Sequence, residues 1–249
     1  MRKKKPKLAW LWAGILSLSI LCPVAPIRAH VEVFAAAASL QPVLEKIADQ
    51  YKKDKGVTLD GVFGASGQLA RQIEMGAPYD LFLSADERWA RYLEDKGKLE
   101  KVKPVAECPL VLWWSSDEAP PLDIVKGEKI RVAIADPDVA PFGVLAKEHL
   151  EKVGKYESLN AGGRLVIAGD VLQAALAAGS GGADAAFIPL SIAIKQKGSW
   201  TKVPMPPQRL FGGIVKDRQA LEATAFYDHL FSPAAAEVFR EAGFEPVRD

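Results

Sequence analysis

The pattern of hydrophobic and polar residues alternates between short apolar runs and longer amphipathic stretches. Short apolar runs are typical of buried strands, and a repeat near 3.6 residues is typical of helices. We predict strands at residues 31–36, 57–63, 80–84, 110–115, 130–135, 185–188 and 210–215. We predict helices at about residues 40–55, 68–74, 87–96, 144–153, 170–178, 218–231 and 233–242. Strands that alternate with helices predict an α/β fold of parallel-rich sheets covered by helices on both faces.

The first 29 residues have the pattern of a secretory signal peptide. An apolar run of 14 residues, 8–21, is followed by two prolines and by the small residue Ala29. The run is shorter than the roughly 20 residues of a membrane anchor, which is the alternative interpretation. We predict cleavage after Ala29 and export from the cytoplasm, with His30 as the first mature residue. Six basic residues and no acid lie in this leader: Arg2, Lys3, Lys4, Lys5, Lys7 and Arg28.

Charge and composition exclude several classes of function. With 49% hydrophobic and 25% charged residues, the chain is typical of a globular protein. Removing the six leader cations from 32 Lys and Arg leaves 26 against 31 Asp and Glu, a mature charge of −5. An acidic balance without basic blocks argues against nucleic acid or an anionic membrane as a partner. Cys108, the one cysteine after the leader, is interpreted as a buried small hydrophobe.

Two segments rich in proline and polar residues interrupt the pattern. They cover residues 115–122 and 199–208, and the second is the most linker-like part of the chain. Two breaks, rather than one central break, predict a lobe that a second lobe interrupts. We expect lobe 1 at residues 30–112 plus 209–249 and lobe 2 at residues 113–208.

Four predicted helices start at turns that could hold an anion. Ser39 and Ser66 follow the first two strands and are predicted as N-caps, and segments 136–143 and 169–171 open two later helices. Each turn alone is more typical of a cap or a tight turn than of a ligand site. Helix starts present unpaired N–H groups and partial positive charge, so several that converge can bind an anion without a cation.

The exact residues of these turns indicate a function more specifically than their position at helix starts does. The relevant segments are FAAAASL at 34–40, FGASGQLARQI at 63–73 and GAPYDLFLSAD at 76–86. Together with 136–148 and 226–244, they resemble the periplasmic molybdate-binding proteins of ABC transporters. The resemblance extends over the mature chain and is strongest at 33–86.

This resemblance implies a fold, a ligand and partners. The fold is a two-lobed periplasmic binding protein (type II-like), with the ligand cleft between the lobes. Molybdate or tungstate is the implied ligand, and an ABC permease with its ATPase is the implied partner. We expect a monomer without cofactor or enzymatic activity.

The resemblance also implies which residues bind. In the family, the serines of the Ala-Ser-Leu and Gly-Ala-Ser-Gly turns bind the oxyanion through hydroxyl and amide, and these are Ser39 and Ser66 here. Backbone N–H groups of the Pro-x-Gly turn and of the Asp-Val helix start correspond to Phe142 and Val171. Molybdenum would be bound only as the oxyanion, through these four residues.

One family position differs in this sequence. Many members add a tyrosine hydroxyl at a strand end in the second lobe, and that position aligns with Pro189. Proline has neither a hydroxyl nor an N–H. Ser191 is a possible additional ligand in its place.

Other functions stay open at this point. Sulfate has the same charge and shape as molybdate and is an alternative ligand. Phosphate keeps a proton near neutral pH and requires a carboxylate acceptor. Asp136 and Asp170, which flank the turns, are the candidates for that acceptor. An exported serine hydrolase requires Gly-x-Ser-x-Gly, and segment 64–68 lacks the final glycine. His149 and His229 lie on amphipathic helices and are interpreted as surface or partly buried residues.

Overall fold

Two five-stranded sheets organise the part of the chain that the computed structural model describes, residues 32–218, 221–245 and 247. The predicted leader and its cleavage site lie outside the described residues. The strands are β1 Val33–Ala37, β2 Asp60–Gly64, β3 Leu81–Ser84, β4 Leu99–Cys108, β5 Leu110–Trp114, β6 Val132–Ala135, β7 Leu165–Ala168, β8 Ala185–Pro189, β9 Ser199–Lys202 and β10 Gln208–Val215. The helices are α1 Gln41–Lys55, α2 Ser66–Glu74, α3 Glu87–Asp95, α4 Pro141–Lys152, α5 Tyr156–Ala161, α6 Val171–Gly179, α7 Leu190–Ala193, α8 Leu221–His229 and α9 Pro233–Glu241, with 3₁₀ turns at Ala38–Leu40 and Leu122–Lys126.

Both sheets are mixed rather than parallel-rich. The first has the order β2-β1-β3-β10-β4, and the second has the order β7-β6-β8-β5-β9. In the first sheet β10 runs antiparallel to both neighbours, and in the second sheet β5 does the same. The remaining pairs are parallel: β1 pairs with β2 and with β3, and β6 pairs with β7 and with β8. Hydrophobic periodicity reports burial and not strand direction, so it could not reveal the two reversed strands.

The reversed strands are those by which the chain changes sheet. It passes from β4 to β5 at Pro109 and returns from β9 to β10 over residues 203–207. A lobe boundary after residue 112 would cut β5, which pairs with β8 and β9 in the second sheet. The division into lobes stays a prediction, and we place its first boundary at Pro109. The segment predicted to be most linker-like begins with β9.

Helices cover the first sheet on both faces, as the alternation of strands and helices predicts. Phe34 and Ala36 of β1 face one apolar cluster, and Ala35 faces a second cluster built from α2 and α3. Since both faces are covered, the strand ends are where a ligand can approach. No helix among the described residues is long and apolar enough to cross a membrane.

Candidate functional site

A small cavity lies at the carboxyl ends of β1 and β2, against the first residues of α4 and α6. Its volume is about 10 Å³, comparable to the accessible space of one water molecule. Any ligand held between these residues must therefore be compact. The lining residues include all four residues that the resemblance implies: Ala37, Ala38, Ser39, Gly64, Ala65, Ser66, Ala85, Ala140, Pro141, Phe142, Asp170 and Val171.

Ser39 lies in the 3₁₀ turn that joins β1 to α1. Its predicted role as N-cap is wrong, because α1 begins at Gln41 and no side chain caps the turn or the helix. Instead the hydroxyl is buried, with the residue 1% exposed, and it has no hydrogen-bond partner among the described residues. A buried hydroxyl without a partner costs about 1–3 kcal/mol, so its presence in the cavity points to a bound ligand.

Ser66 presents a hydroxyl whose direction is set by the fold. It is the first residue of α2 rather than its N-cap, which is another correction to the prediction. Its Oγ accepts a hydrogen bond from the N–H of Ala85 at 3.0 Å, so its own proton can be donated to a ligand. The N–H of Gly67 donates to the carbonyl of Val139 at 2.9 Å. The N–H of Ser66, which has no acceptor inside its helix, is left for the cavity.

The start of α4 also leaves one N–H for the cavity. Pro141 has no N–H, and the N–H of Gly143 donates to the carbonyl of Ala140 at 2.9 Å. Between them, Phe142 retains a donor with no acceptor inside the helix. A Cβ on Gly143 would lie 2.2 Å from the carbonyl oxygen of Ala135, so this helix start lies directly against the end of β6. Only glycine permits that approach.

The start of α6 likewise leaves one N–H for the cavity, because Asp170 caps the amides that follow it. Its Oδ1 accepts hydrogen bonds from the N–H groups of Leu172 at 2.8 Å and Gln173 at 2.9 Å. Asp170 is therefore the N-cap of α6. Val171, the first residue of the helix, retains its N–H for the cavity.

The site is rich in neutral donors. Six donors are available: the hydroxyl and the amide of Ser39 and of Ser66, and the amides of Phe142 and Val171. They lie at helix starts, which carry partial positive charge. Among the described lining residues, Asp170 is the one ionisable side chain, and its carboxylate caps α6. The other flanking carboxylate, Asp136, accepts from the N–H of Asp138 at 2.9 Å and does not line the cavity.

The structure does not bring Ser191 to the cavity. Its fully buried hydroxyl donates to the carbonyl oxygen of Ser39 at 2.8 Å, so its single proton is not available to a ligand. Pro189, which ends β8, does not line the cavity either. The sequence offered Ser191 as a ligand and not as a partner of Ser39, and nothing in it marked Ala85 as the partner of Ser66, because both contacts join residues far apart in the chain.

The histidine and cysteine groups lie outside the cavity. His149 is buried against Phe187, not on the surface or partly buried as predicted, and burial, followed by the charge of Lys152, lowers its pKa. Cys108 is buried as predicted, and burial raises the pKa of its thiol to about 11. Over the described residues, no group of three or more His, Cys, Asp and Glu could hold a metal ion.

Comparison with known proteins places the chain in a family. The profile of bacterial extracellular solute-binding proteins matches residues 33–245. The chain belongs to this family. This solute-binding protein is homologous to the molybdate-binding proteins ModA of Escherichia coli (strain K12) and Rhodobacter capsulatus. It is 34% identical to each, over 94% of this chain and 96% of theirs.

A solved structure supports the same relationship. The Azotobacter vinelandii periplasmic molybdate-binding protein superposes on this solute-binding protein with a TM-score of 0.82 and 28% identity. The match covers 87% of this chain and 100% of that one. The predicted α/β fold of a periplasmic binding protein and the family resemblance are thereby confirmed.

Proposed function

We propose that this solute-binding protein captures molybdate or tungstate in the cavity and delivers it to an ABC permease driven by an ATPase. The observation that carries the proposal is the buried, unpartnered hydroxyl of Ser39 beside the free helix-start donors of Ser66, Phe142 and Val171. The names of the E. coli, R. capsulatus and A. vinelandii relatives support molybdate as the ligand.

The chemistry of the donors favours a fully deprotonated tetrahedral anion. Removing water from a dianion costs tens of kcal/mol unless hydrogen bonds replace the hydration. Neutral N–H and O–H groups supply those bonds, and helix starts favour the negative charge. Monohydrogen phosphate also requires an acceptor, and both oxygens of Asp170 face groups of α6, Oδ1 accepting from two amides and Oδ2 from Nε2 of Gln173 at 3.4 Å. Sulfate fits the same donors and is the second candidate ligand.

The placement of the donors supports capture by closure. Ser39 and Ser66 follow strands of the first sheet, whereas Phe142 and Val171 begin helices that follow strands of the second sheet. An anion bound to all four would hold the two halves together, and the hydrogen bond from Gly67 to Val139 would reinforce that state. We expect the closed, loaded form in the periplasm to be recognised by the permease. The ligand leaves chemically unchanged.

Parallel calorimetric titrations test this function. The mature chain, His30 to Asp249, is stripped of ligand and titrated with molybdate, tungstate, sulfate and phosphate. We expect tight one-to-one binding of molybdate or tungstate and no competing heat from sulfate or phosphate. Binding of sulfate or phosphate alone, or of none of the four, would contradict the proposed ligand.

The double variant Ser39→Ala plus Ser66→Ala serves as the matched negative control. It should stay folded and lose oxyanion binding. Undiminished molybdate affinity in this variant would show that the anion binds elsewhere on the protein.

A further inference from the structure

A buried hydrogen bond joins Ser39, which lines the cavity, to a residue that follows the second sheet and does not line the cavity. Ser191 lies in α7, the short helix that follows β8, and its hydroxyl donates to the carbonyl oxygen of Ser39 at 2.8 Å. The two residues are 152 positions apart in the chain, and both are buried. The bond therefore reaches Ser39, whose hydroxyl lines the cavity and has no hydrogen-bond partner in the part of the chain that the structure describes.

We infer that Ser191 is a positioning residue, which orients Ser39 for the anion without touching the anion itself. This inference rests on the proposed function. Ser39 lies in a 3₁₀ turn that lines the cavity, and its hydroxyl has no hydrogen-bond partner among the described residues. Its N–H lies at the start of that turn, where backbone donors have no acceptor inside the helix. A donor that holds the Ser39 carbonyl fixes the rotation of that turn and hence the direction of both ligand donors.

The surroundings of α7 favour this role. The helix packs against the Ser39 turn, against α1 and against α6, the helix that starts with Val171. The N–H of Leu190, the residue before Ser191, donates to the carbonyl of Pro109 at 2.9 Å, which places α7 at the crossover between β4 and β5. A bond beside a crossover changes little in length when two lobes rotate about it. Ser39 would thus stay oriented in the open form, before an anion arrives.

A double-mutant cycle on affinity tests the inference. Calorimetry is performed on wild type, Ser191→Ala, Ser39→Ala and the double variant, with whichever of molybdate, tungstate, sulfate and phosphate wild type binds most tightly. Loss of one buried hydrogen bond is a small part of the stability of a domain, so the variants should fold. We expect Ser191→Ala to weaken binding about five- to tenfold in wild type and about two- to threefold in the Ser39→Ala background, where the amide at position 39 is the only donor left for Ser191 to orient.

Thr201→Val is the matched control. Its hydroxyl also donates to a distant backbone carbonyl, that of Pro120 at 2.6 Å, but it does not line the cavity. This variant should lose thermal stability without losing affinity.

Two results would overturn the inference while leaving the proposed function intact. One is an unchanged affinity in Ser191→Ala, and the other is the same fold-loss in both backgrounds, which would indicate a purely structural role. A wild-type protein that binds none of the four anions would overturn both proposals. A wild-type protein that binds only sulfate or phosphate would overturn the proposed ligand, and the cycle would still decide the role of Ser191.

Discussion

Ser39 and Ser66 both present a hydroxyl to the cavity, but they contribute differently to the fold. The Oγ of Ser66 accepts from the N–H of Ala85, so it satisfies a buried backbone donor. The hydroxyl of Ser39 satisfies nothing in the described structure. Ser66 serves stability and binding together, whereas Ser39 serves binding at the expense of stability.

This difference predicts opposite effects of the two alanine substitutions on stability. Ser39→Ala should weaken molybdate binding by about 10- to 100-fold and leave the unliganded protein as stable as wild type or more so, because an unpaired buried hydroxyl is removed. Ser66→Ala should weaken binding similarly and also destabilise by about 1–3 kcal/mol, because the Ala85 N–H is left unpaired. Calorimetry and chemical unfolding measure the two quantities. Equal destabilisation by both substitutions would contradict the account of these hydroxyls.

His149 predicts the pH dependence of stability. Burial lowers its pKa below the ordinary 6.5, so just below that pH the unfolded chain binds a proton that the folded chain does not. Its contribution is complete above about pH 6.5 and is lost as the pH falls, by at most about 1.4 kcal/mol per pH unit.

Urea unfolding at about pH 7.5 and about pH 5.5 compares wild type with His149→Leu. Leucine removes the titrating group, and since Nδ1 has no partner among the described residues, no bond to that nitrogen is lost. The loss of stability on acidification should be smaller in the variant. The same pH dependence in both proteins would assign it to other groups.

The resemblance supplied the four candidate ligand residues, and the cavity contains them all. The sequence could not show which N–H and O–H groups of these residues lack a protein acceptor and are available to a ligand. A serine after a strand predicts a cap, and for both serines that prediction is wrong because the 3₁₀ turn and the start of α2 shift the helix boundaries. Boundaries move by one or two residues under tertiary contacts that a single sequence does not display.

At the scale of elements, the helices α2, α4 and α6 each offer one amide to the cavity. The amides next along each helix are engaged by Val139, by Ala140 and by the Asp170 carboxylate. Each helix start is therefore limited to one donor, and different chain segments must converge to surround a tetrahedral ligand. This division explains why no charged side chain is required.

The start of α4 predicts a steric test. Gly143→Ala places a Cβ 2.2 Å from the carbonyl oxygen of Ala135, a backbone atom that cannot move aside without displacing β6. We expect destabilisation of about 1–3 kcal/mol and weaker anion binding, since the Phe142 amide would shift. Gly179→Ala, at the end of α6, meets nothing closer than Trp113 at 3.6 Å and should be neutral or stabilising. Thermal unfolding and calorimetry compare the two variants, and equal effects would contradict the steric argument.

Hydrophobic patterning located the long helices and the buried strands, but it missed β4, β7, β9, α5 and α7. β4 carries charged residues and Pro104 along much of its length, and its buried residues lie mainly at its ends. β9 lies at the edge of its sheet and only half-buries alternate residues in a segment with a linker-like composition. Edge strands are defined by their neighbours more than by their own residues, so the pattern of the chain alone did not reveal them.

At the scale of the whole molecule, ligand binding should couple to stability. A ligand that binds only the folded protein stabilises it by about 2.7 kcal/mol at a free concentration 100 times Kd. For a chain of this size, we expect molybdate to raise Tm by about 5–10 °C. Ser39→Ala should show a much smaller rise at the same molybdate concentration. A wild-type Tm that does not respond to molybdate would contradict specific binding.

The central claim is that one tetrahedral oxyanion is held by neutral donors from four chain segments. Anomalous diffraction at the molybdenum edge, from crystals of the mature protein grown with molybdate, tests it most directly. The account predicts one molybdenum peak in the cavity, with its oxygens within about 3 Å of the Ser39 and Ser66 hydroxyls and the Phe142 and Val171 amides. A peak beside surface lysines or arginines, or a cavity without molybdenum, would contradict it.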